Sequence, residues 1–346
     1  MNENVSIRRV GILGTGLIGA SIGHGLAAAG WEVAGWDPKP EALDEALELG
    51  AITEAYADLE QVIQSGIEVL VLAGPPDAVV ETASVINPSC LVMDVSGVKE
   101  EVIVSARPRR FVGTHPMAGR EQSGPSAASP ALFRGAAWVV VTDGADALDL
   151  DAIEEVVALL GARSIRMSAS EHDESVAVIS HLPQILATTL LAAADDCPRA
   201  MDLVSGSFRD LTRVAASDSA AWVQLLLANR REIVNVAEDF RRRLAEVTAL
   251  IEDRNAIELH SLLARGKELR SELVPQVAVV NISLTDQPGE LARVGRALER
   301  SGVDVRDLQL RHAPYGGGGL LTLSVRPGEA ETLRAAAKQQ GLPVEP

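Results

Sequence analysis

A short apolar strand pattern, RRVGIL at residues 8–13, leads directly into GTGLIG at residues 14–19. This junction constrains the fold more than any other stretch of the chain. A run apolar on both sides belongs in a sheet covered on both faces, and the glycines allow a tight turn from strand into helix. ASIGHGLAAAG, rich in helix formers and small residues, follows the turn, and WEVAGWD is a second strand. The alternation continues with a helix at about 39–49, VLVLAG at 69–74, and a helix around 76–85. LVMDV at 91–95, RRFVGTH at 109–115 and AWVVVTD at 137–143 are further strands; after a helix at 151–160, ARSIRM at 162–167 is an edge strand. Strands interleaved with helices predict an α/β domain over residues 1–170, a mostly parallel Rossmann-type sheet.

Within that frame the glycine turn acquires a function. Gly14, Thr15, Gly16, Leu17, Ile18 and Gly19 fit GxGxxG after a strand and at the head of a helix. Such a turn lets backbone approach a pyrophosphate, and the helix N-terminus supplies unpaired N–H groups. Asp37 ends the next strand, 18 residues after Gly19. Its carboxylate would accept from adenosine ribose hydroxyls and repel a 2′-phosphate, so NAD is the expected cofactor. A packing turn that holds no ligand is the competing reading. Gly74, in the Gly74-Pro75-Pro76 segment, faces the same crevice beyond the strand ends. Ser96 and Lys99 of DVSGVK and His115 of GTHPMAGREQSG also follow strand ends, so one cleft should collect them.

From about residue 171 the texture turns helical, over a predicted domain at 171–274. Ile233, Ala237, Phe240, Leu244, Val247 and Ile251 recur at alternating spacings of four and three, one apolar stripe on a long helix. Such a stripe builds a homodimer or packs inside its own chain. Pro275 ends the pattern, and residues 275–346 read β-α-β-β-α with a short final strand at LPVEP, the ferredoxin-like order. PYGGGG is the turn between its second and third strands.

The formal charge of −17 argues against nucleic acid as partner, because an acidic surface repels phosphate backbones. It also means that an anionic substrate needs arginines gathered in its pocket. The RRR run at 241–243 is followed by glutamates at helical spacing and reads as a solvated face. No apolar run approaches the length of a membrane span, and no signal-peptide pattern is read at the start. Cys90 and Cys197 form no framework, which fits a reducing cytoplasm, and no histidine pair has metal spacing, so no metal is expected.

Several separated motifs now point one way. GILGTGLIGASIG, GTHPMAGREQSG with ALFRGAAWVVV, EHDESVAVISHLPQILA and GSFRDLTRVAASDSAAWVQLLLANR occur in that order. In them the whole chain resembles the prephenate dehydrogenases of tyrosine biosynthesis, in the architecture that ends in an ACT domain. The resemblance implies NAD-dependent oxidative decarboxylation of prephenate, with arogenate as the alternative substrate. It implies His115 as general base, a task suited to a neutral imidazole. It implies Arg213 as the cation that grips a substrate carboxylate, Glu121 as part of an ionic gate, and His181, Gln184 and Gly206 at the substrate.

The C-terminal TDQPGELARVGRAL resembles the ACT turn, with Gly289 opening its helix and tyrosine the implied effector. His24, His172 and His260 receive no role. The chain departs from the family pattern twice. Many members carry serine at the position of Gly97, so here either Ser96 substitutes or that contact is absent, and many read SHLPH where Gln184 stands here. Hydroxyacid dehydrogenases and imine reductases share the nucleotide domain and an all-helical partner but usually need a lysine or aspartate in the helical domain as the proton-transfer group, and the HPMAG loop argues against them. An amino-acid sensor that binds NAD without turnover would not need His115.

Overall fold

Five residues, Arg9–Leu13, form β1, whose side chains alternate between two cores. The computed structural model describes residues 8–120, 122–273, 276–285, 287–312 and 318–345. Beside β1 lie β2 (Glu32–Trp36), β3 (Glu54–Ala55), β4 (Val69–Leu72), β5 (Leu91–Asp94) and β6 (Phe111–Val112). They form one parallel sheet in the order β3-β2-β1-β4-β5-β6. Val10, Ile12, Val69, Val71, Leu91 and Met93 pack into one core, and Leu13, Leu70, Leu72 and Val92 into the other. The period of two, apolar on both sides, is why these strands read as unbroken hydrophobic runs. Each such side chain, fully buried, contributes about 1.5–3 kcal/mol.

RRFVGTH does not form a single strand. The chain leaves the parallel sheet at Gly113, and Thr114–Pro116 starts a second sheet as β7. A Cβ at Gly113 would lie 2.9 Å from Ile103 Cδ1, so this exit needs a glycine. Thr114 N–H and hydroxyl both bond to Asp94, which pulls the strand across the end of β5. β7 pairs antiparallel with β8 (Ala137–Val141), and β9 (Arg163–Met167) pairs parallel with β8 as the edge strand of this sheet. AWVVVTD therefore belongs to a separate three-stranded sheet, not to the parallel one.

The helical part begins at Ala169–Val176, whose start is fixed by a capping box between Ser168 and Glu171. A π turn, Ala177–His181, joins it to Leu182–Asp195. By length and composition the run Ala169–Asp195, which holds an 18-residue window of mean hydropathy 1.6, could cross a membrane, contrary to the expectation that no run would. Its inward face carries buried His172, Asp173, His181 and Gln184, however, while Val178, Ile179 and Leu190 on the other side are exposed. The length of the run comes from two helices joined end to end through the π turn. The helices Gly206–Thr212, Ser219–Ala228 and Arg230–Glu252 follow. On the last, the sequence-predicted stripe is buried at Ile233 and open at Leu244 and Ile251. Arg241, Arg242 and Arg243 pair with Glu238 and Asp239 on the exposed face, as the charge run suggested.

The chain divides into two compact units, Met1–Arg243 and Leu244–Pro346, and the division falls inside the helix Arg230–Glu252. The second unit contains the helix Ala256–Leu273 and a small module. In that module β10 (Ala278–Leu284) and β11 (Val305–His312) flank β12 (Gly319–Val325), all antiparallel. Two helices, Glu290–Ser301 and Ala330–Gln339, cover one core built on Ile282, Leu321, Leu323, Val294 and Leu333. Val344 bridges Ile282, where the sequence suggested a short last strand. Pro275 and most of the PYGGGG turn lie outside the described residues. Gly289 is left-handed at φ 90°, and the Glu290 carboxylate after it accepts from Thr285 N at 2.7 Å and Thr285 Oγ1 at 2.9 Å.

Candidate active site

The turn between β1 and the helix Leu17–Ala28 has the shape a dinucleotide requires. Gly14 is left-handed at φ 98°, and a Cβ there would lie 2.5 Å from the Ala73 carbonyl oxygen. At Gly19 a Cβ would lie 1.9 Å from the Gly14 oxygen, so helix and turn close only on glycine. Gly16 is different: no atom lies within 4 Å of where its Cβ would be. It caps the helix, no side chain bonds there, and the first turn carries no acid. Bare backbone N–H groups with open space in front are what a pyrophosphate needs. Asp37 accepts from Thr15 N at 2.7 Å and from Lys39 N at 2.9 Å, so it also braces the turn. Gly74 N lies 3.3 Å from the Gly14 Cβ position, which puts it on the same crevice.

His115 sits on β7, partly buried, opposite Val139 of β8. Its Nδ1 lies 2.8 Å from His172 Nε2, and His172 Nδ1 lies 2.7 Å from Asp173 Oδ1. Asp173 in turn accepts from Lys99 N at 2.8 Å and Glu100 N at 2.9 Å, the start of the short helix Glu100–Ser105. Burial, first of all, holds the His115 imidazole well below its usual pKa, and the nearby His172, Lys99 and His181 add to this. A ring held neutral is a proton acceptor at neutral pH.

The segment after β5 forms the floor. Lys99 and Asp94 make an ion pair with both side chains fully buried. Burial pushes the Lys99 ammonium below its usual range, while Asp94 and Asp173 oppose that shift. Ser96 belongs to this pair: its hydroxyl donates to the Val98 carbonyl at 3.0 Å and receives Lys99 Nζ at 3.3 Å. The structure thus gives Ser96 other partners than the base it was expected to assist. Gly97 faces the base instead. A Cβ there would be 3.8 Å from His115 Nε2 and 2.7 Å from Leu225 Cδ2. Leu225, on Ser219–Ala228, fills the space a side chain at Gly97 would need.

His181 accepts from Asn229 Nδ2 at 3.2 Å through Nδ1, and Trp222 meets its ring edge-on at 6.0 Å. Burial pushes its pKa down to about 4, against the opposing charge of Asp173. The same Asn229 amide donates to the Asp173 carbonyl at 2.9 Å, which ties the two histidine positions together. Gln184 is 7% exposed, and its Oε1 is buried with no hydrogen-bond partner among the described residues. Such an orphan costs about 1–3 kcal/mol unless something else binds it. Gly206 opens the helix Gly206–Thr212, and Arg213, exposed, begins the turn Arg213–Ala216 that packs on the helix carrying Gln184. Glu121 lies outside the described residues.

Sequence reasoning missed His172, Asp173, Asn229, Trp222 and Leu225. One signal was available. Ala169, His172, Asp173, Val176 and Ala177 are buried together at i, i+3, i+4, i+7 and i+8, so two titratable groups occupy the core face of a helix.

A glycine turn of dinucleotide-binding shape braced by an acid, together with an imidazole of lowered pKa on β7, fits one class of protein, an NAD-dependent dehydrogenase. Residues 22–166 match the family description "Prephenate dehydrogenase, nucleotide-binding domain", and residues 168–265 match "Prephenate dehydrogenase, dimerization domain". The chain belongs to the prephenate dehydrogenase family. It is 30% identical to a prephenate dehydrogenase of Lactococcus lactis over 311 residues, 83% of this chain and 85% of that one. A solved prephenate dehydrogenase from A. aeolicus, in complex with hydroxyphenyl propionate and NAD+, is similar at 27% identity and a TM-score of 0.72. It covers 79% of this chain and 100% of its own. Synechocystis arogenate dehydrogenase is similar at 28% identity and a TM-score of 0.67, over 77% and 100%.

Proposed function

We propose that the protein converts prephenate to 4-hydroxyphenylpyruvate and carbon dioxide, with NAD held on the glycine turn. NAD, when bound, supplies the acceptor for the hydride that leaves the ring's carbinol carbon. His115 Nε2 takes the hydroxyl proton as that C–H bond breaks. The bond to the ring carboxylate then breaks, its electron pair completes the aromatic ring, and His115 returns the proton to the phenolate oxygen. Arg213 would grip one substrate carboxylate bidentately, and Glu121 would limit solvent access from the His115 loop. The observation that carries this reading is a partly buried His115 of lowered pKa whose Nε2 faces Gly97. The test is NADH formation by purified protein with prephenate, in wild type and in His115→Asn. Turnover that collapses in the variant supports it, and full activity in His115→Asn removes it.

One observation favours a second substrate. Arogenate carries an ammonium where prephenate carries a keto group, and the unpartnered Gln184 Oε1 is an acceptor suited to an ammonium N–H. The two substrates offered in parallel at equal concentration decide between them.

The C-terminal module is, in the same proposal, an ACT domain that binds tyrosine near the left-handed Gly289 and inhibits by favouring a less active arrangement. A coupling of about 1–3 kcal/mol would change substrate affinity about 5–150-fold. Two copies would pair through the apolar helix face left open at Val178 and Ile179. Tyrosine that leaves the NADH rate unchanged at every concentration would end the regulatory part of the reading.

A further inference from the structure

We propose that His172 and Asp173 are positioning residues that fix the tautomer of His115. The inference rests on His115 being the base, and it adds how the correct nitrogen is left free. It begins with the carboxylate. Asp173 Oδ1 is an acceptor, so His172 Nδ1 must donate across their 2.7 Å contact. With His172 carrying a single ring proton, its Nε2 offers only a lone pair, and His115 Nδ1 then donates across 2.8 Å. His115 Nε2 is thereby left unprotonated, and Nε2 is the nitrogen that faces Gly97. Each step follows from which atoms can donate, with Asp173 as the anchor.

A packing role alone does not account for the arrangement. His172 is fully buried on a helix face that it shares with Asp173, Ala169, Val176 and Ala177, where an apolar residue would be cheaper. Asp173 is anchored far more firmly than a chance neighbour. It accepts two backbone N–H groups from the Lys99–Glu100 segment, its carbonyl is held by Asn229, and it receives the His172 ring.

The charged and titratable groups around His115 come from three directions. They are His172 with Asp173 on one helix, the buried Lys99–Asp94 pair below, and His181 on the π turn. Lys99 disfavours a second positive charge. The link to Asp173 is the only one of these contacts that brings a negative group to the base through hydrogen bonds. When His115 accepts the hydroxyl proton at Nε2, its Nδ1 proton stays between the rings, and the new charge is shared toward Asp173. The proton then leaves from Nε2, so the pair ends as it began.

The experiment has a spectroscopic and a kinetic arm. The 15N spectrum of histidine-labelled full-length protein, with His115 assigned by the His115→Asn variant, should show Nδ1 protonated and Nε2 bare at neutral pH. In His172→Leu the acceptor is gone, and the His115 proton should move to Nε2 in a substantial fraction of molecules. Loss of a correctly presented base should lower kcat by about 100-fold or more, with the KM for NAD within about threefold. In His172→Gln the amide oxygen can accept from His115 Nδ1, so most of that loss should be recovered.

A wild-type spectrum with Nε2 protonated would overturn the proposal, as would His172→Leu with wild-type kcat. If His172→Leu does not fold, the wild-type spectrum and the Gln variant still decide. The spectrum needs no substrate. A wrong substrate assignment would therefore show as absent turnover with the Nδ1–H tautomer in place, distinct from failure of this inference.

Discussion

His115 Nδ1 and His172 Nε2 face each other at 2.8 Å, with their rings inclined at 73°. The contact sits in a region where burial outweighs every charge in setting the His115 pKa, and that pKa lies well below 6.5. A general base is active when deprotonated, and kcat/KM reports the free enzyme. The acid limb of log kcat/KM against pH should therefore fall below pH 6.5. Return to pH 7.5 after acid exposure should restore activity, which separates titration from unfolding. A limb at or above 6.5 assigned to His115 would contradict the buried, neutral ring.

Stability should carry the same signature. His181 titrates at about 4 in the folded chain against an ordinary 6.5, and His115 is shifted the same way. Between those values the unfolded chain binds the extra proton, so stability is complete above about pH 6.5 and is lost as pH falls toward 4. For His181 alone the full loss is roughly 3 kcal/mol. Urea unfolding at pH 7.5 and pH 5 should show a lower midpoint at pH 5, with a smaller difference in His181→Asn. Equal midpoints would mean that the rings are hydrated.

Much of this arrangement is legible in the chain, for physical reasons that differ by element. β1, β4 and β5 are apolar on both faces, and their period of two survives in any sequence. GTGLIG is legible because Gly14 and Gly19 leave no room for a Cβ. The break at Gly113 is not, because it depends on Ile103 and Asp94 arriving from elsewhere in the chain. His172 escapes for a related reason. Its residue type fits a polar helix surface, and only the phase shared with Ala169 and Val176 places it inside. Ser96 misleads in the opposite sense, since sequence adjacency to Gly97 does not put its hydroxyl on the base.

The glycine turn offers a pair of variants with opposite signatures. Gly19→Ala puts a methyl 1.9 Å from the Gly14 oxygen, a backbone atom that cannot step aside. It should lose about 1–3 kcal/mol of stability along with NAD binding. The Cβ of Gly16→Val would have no protein atom within 4 Å, so its Tm should hold. The added side chain would still occupy the pyrophosphate's place, and the KM for NAD should rise about tenfold or more, a loss of about 1.4 kcal/mol. Unchanged NAD kinetics in Gly16→Val would place the cofactor elsewhere.

Gln184 should trade stability against binding. Gln184→Leu removes a buried oxygen without a partner, and the protein should gain about 1 kcal/mol or more. If substrate satisfies that oxygen, the same variant should raise the substrate KM about tenfold. The rise should be larger for arogenate than for prephenate if the oxygen meets an ammonium. Thermal melts and KM values for both substrates check this together. A higher Tm with both KM values unchanged would make Gln184 a structural residue only.

Gly97 and Leu225 should behave as a coupled pair. A Cβ at Gly97 would sit 2.7 Å from Leu225 Cδ2, so Gly97→Ser must displace the leucine tip before its hydroxyl can approach His115 Nε2. The single variant should therefore lose activity about 2–10-fold, within the usual cost of overpacking. Leu225→Ala opens the space, and in that background Gly97→Ser should cost nothing or raise kcat, because the hydroxyl then reaches the base without strain. The interaction energy from the four kcat/KM values should reach about 1 kcal/mol, well above the scatter expected for independent sites. Additive effects would mean that Leu225 does not stand against Gly97 during turnover.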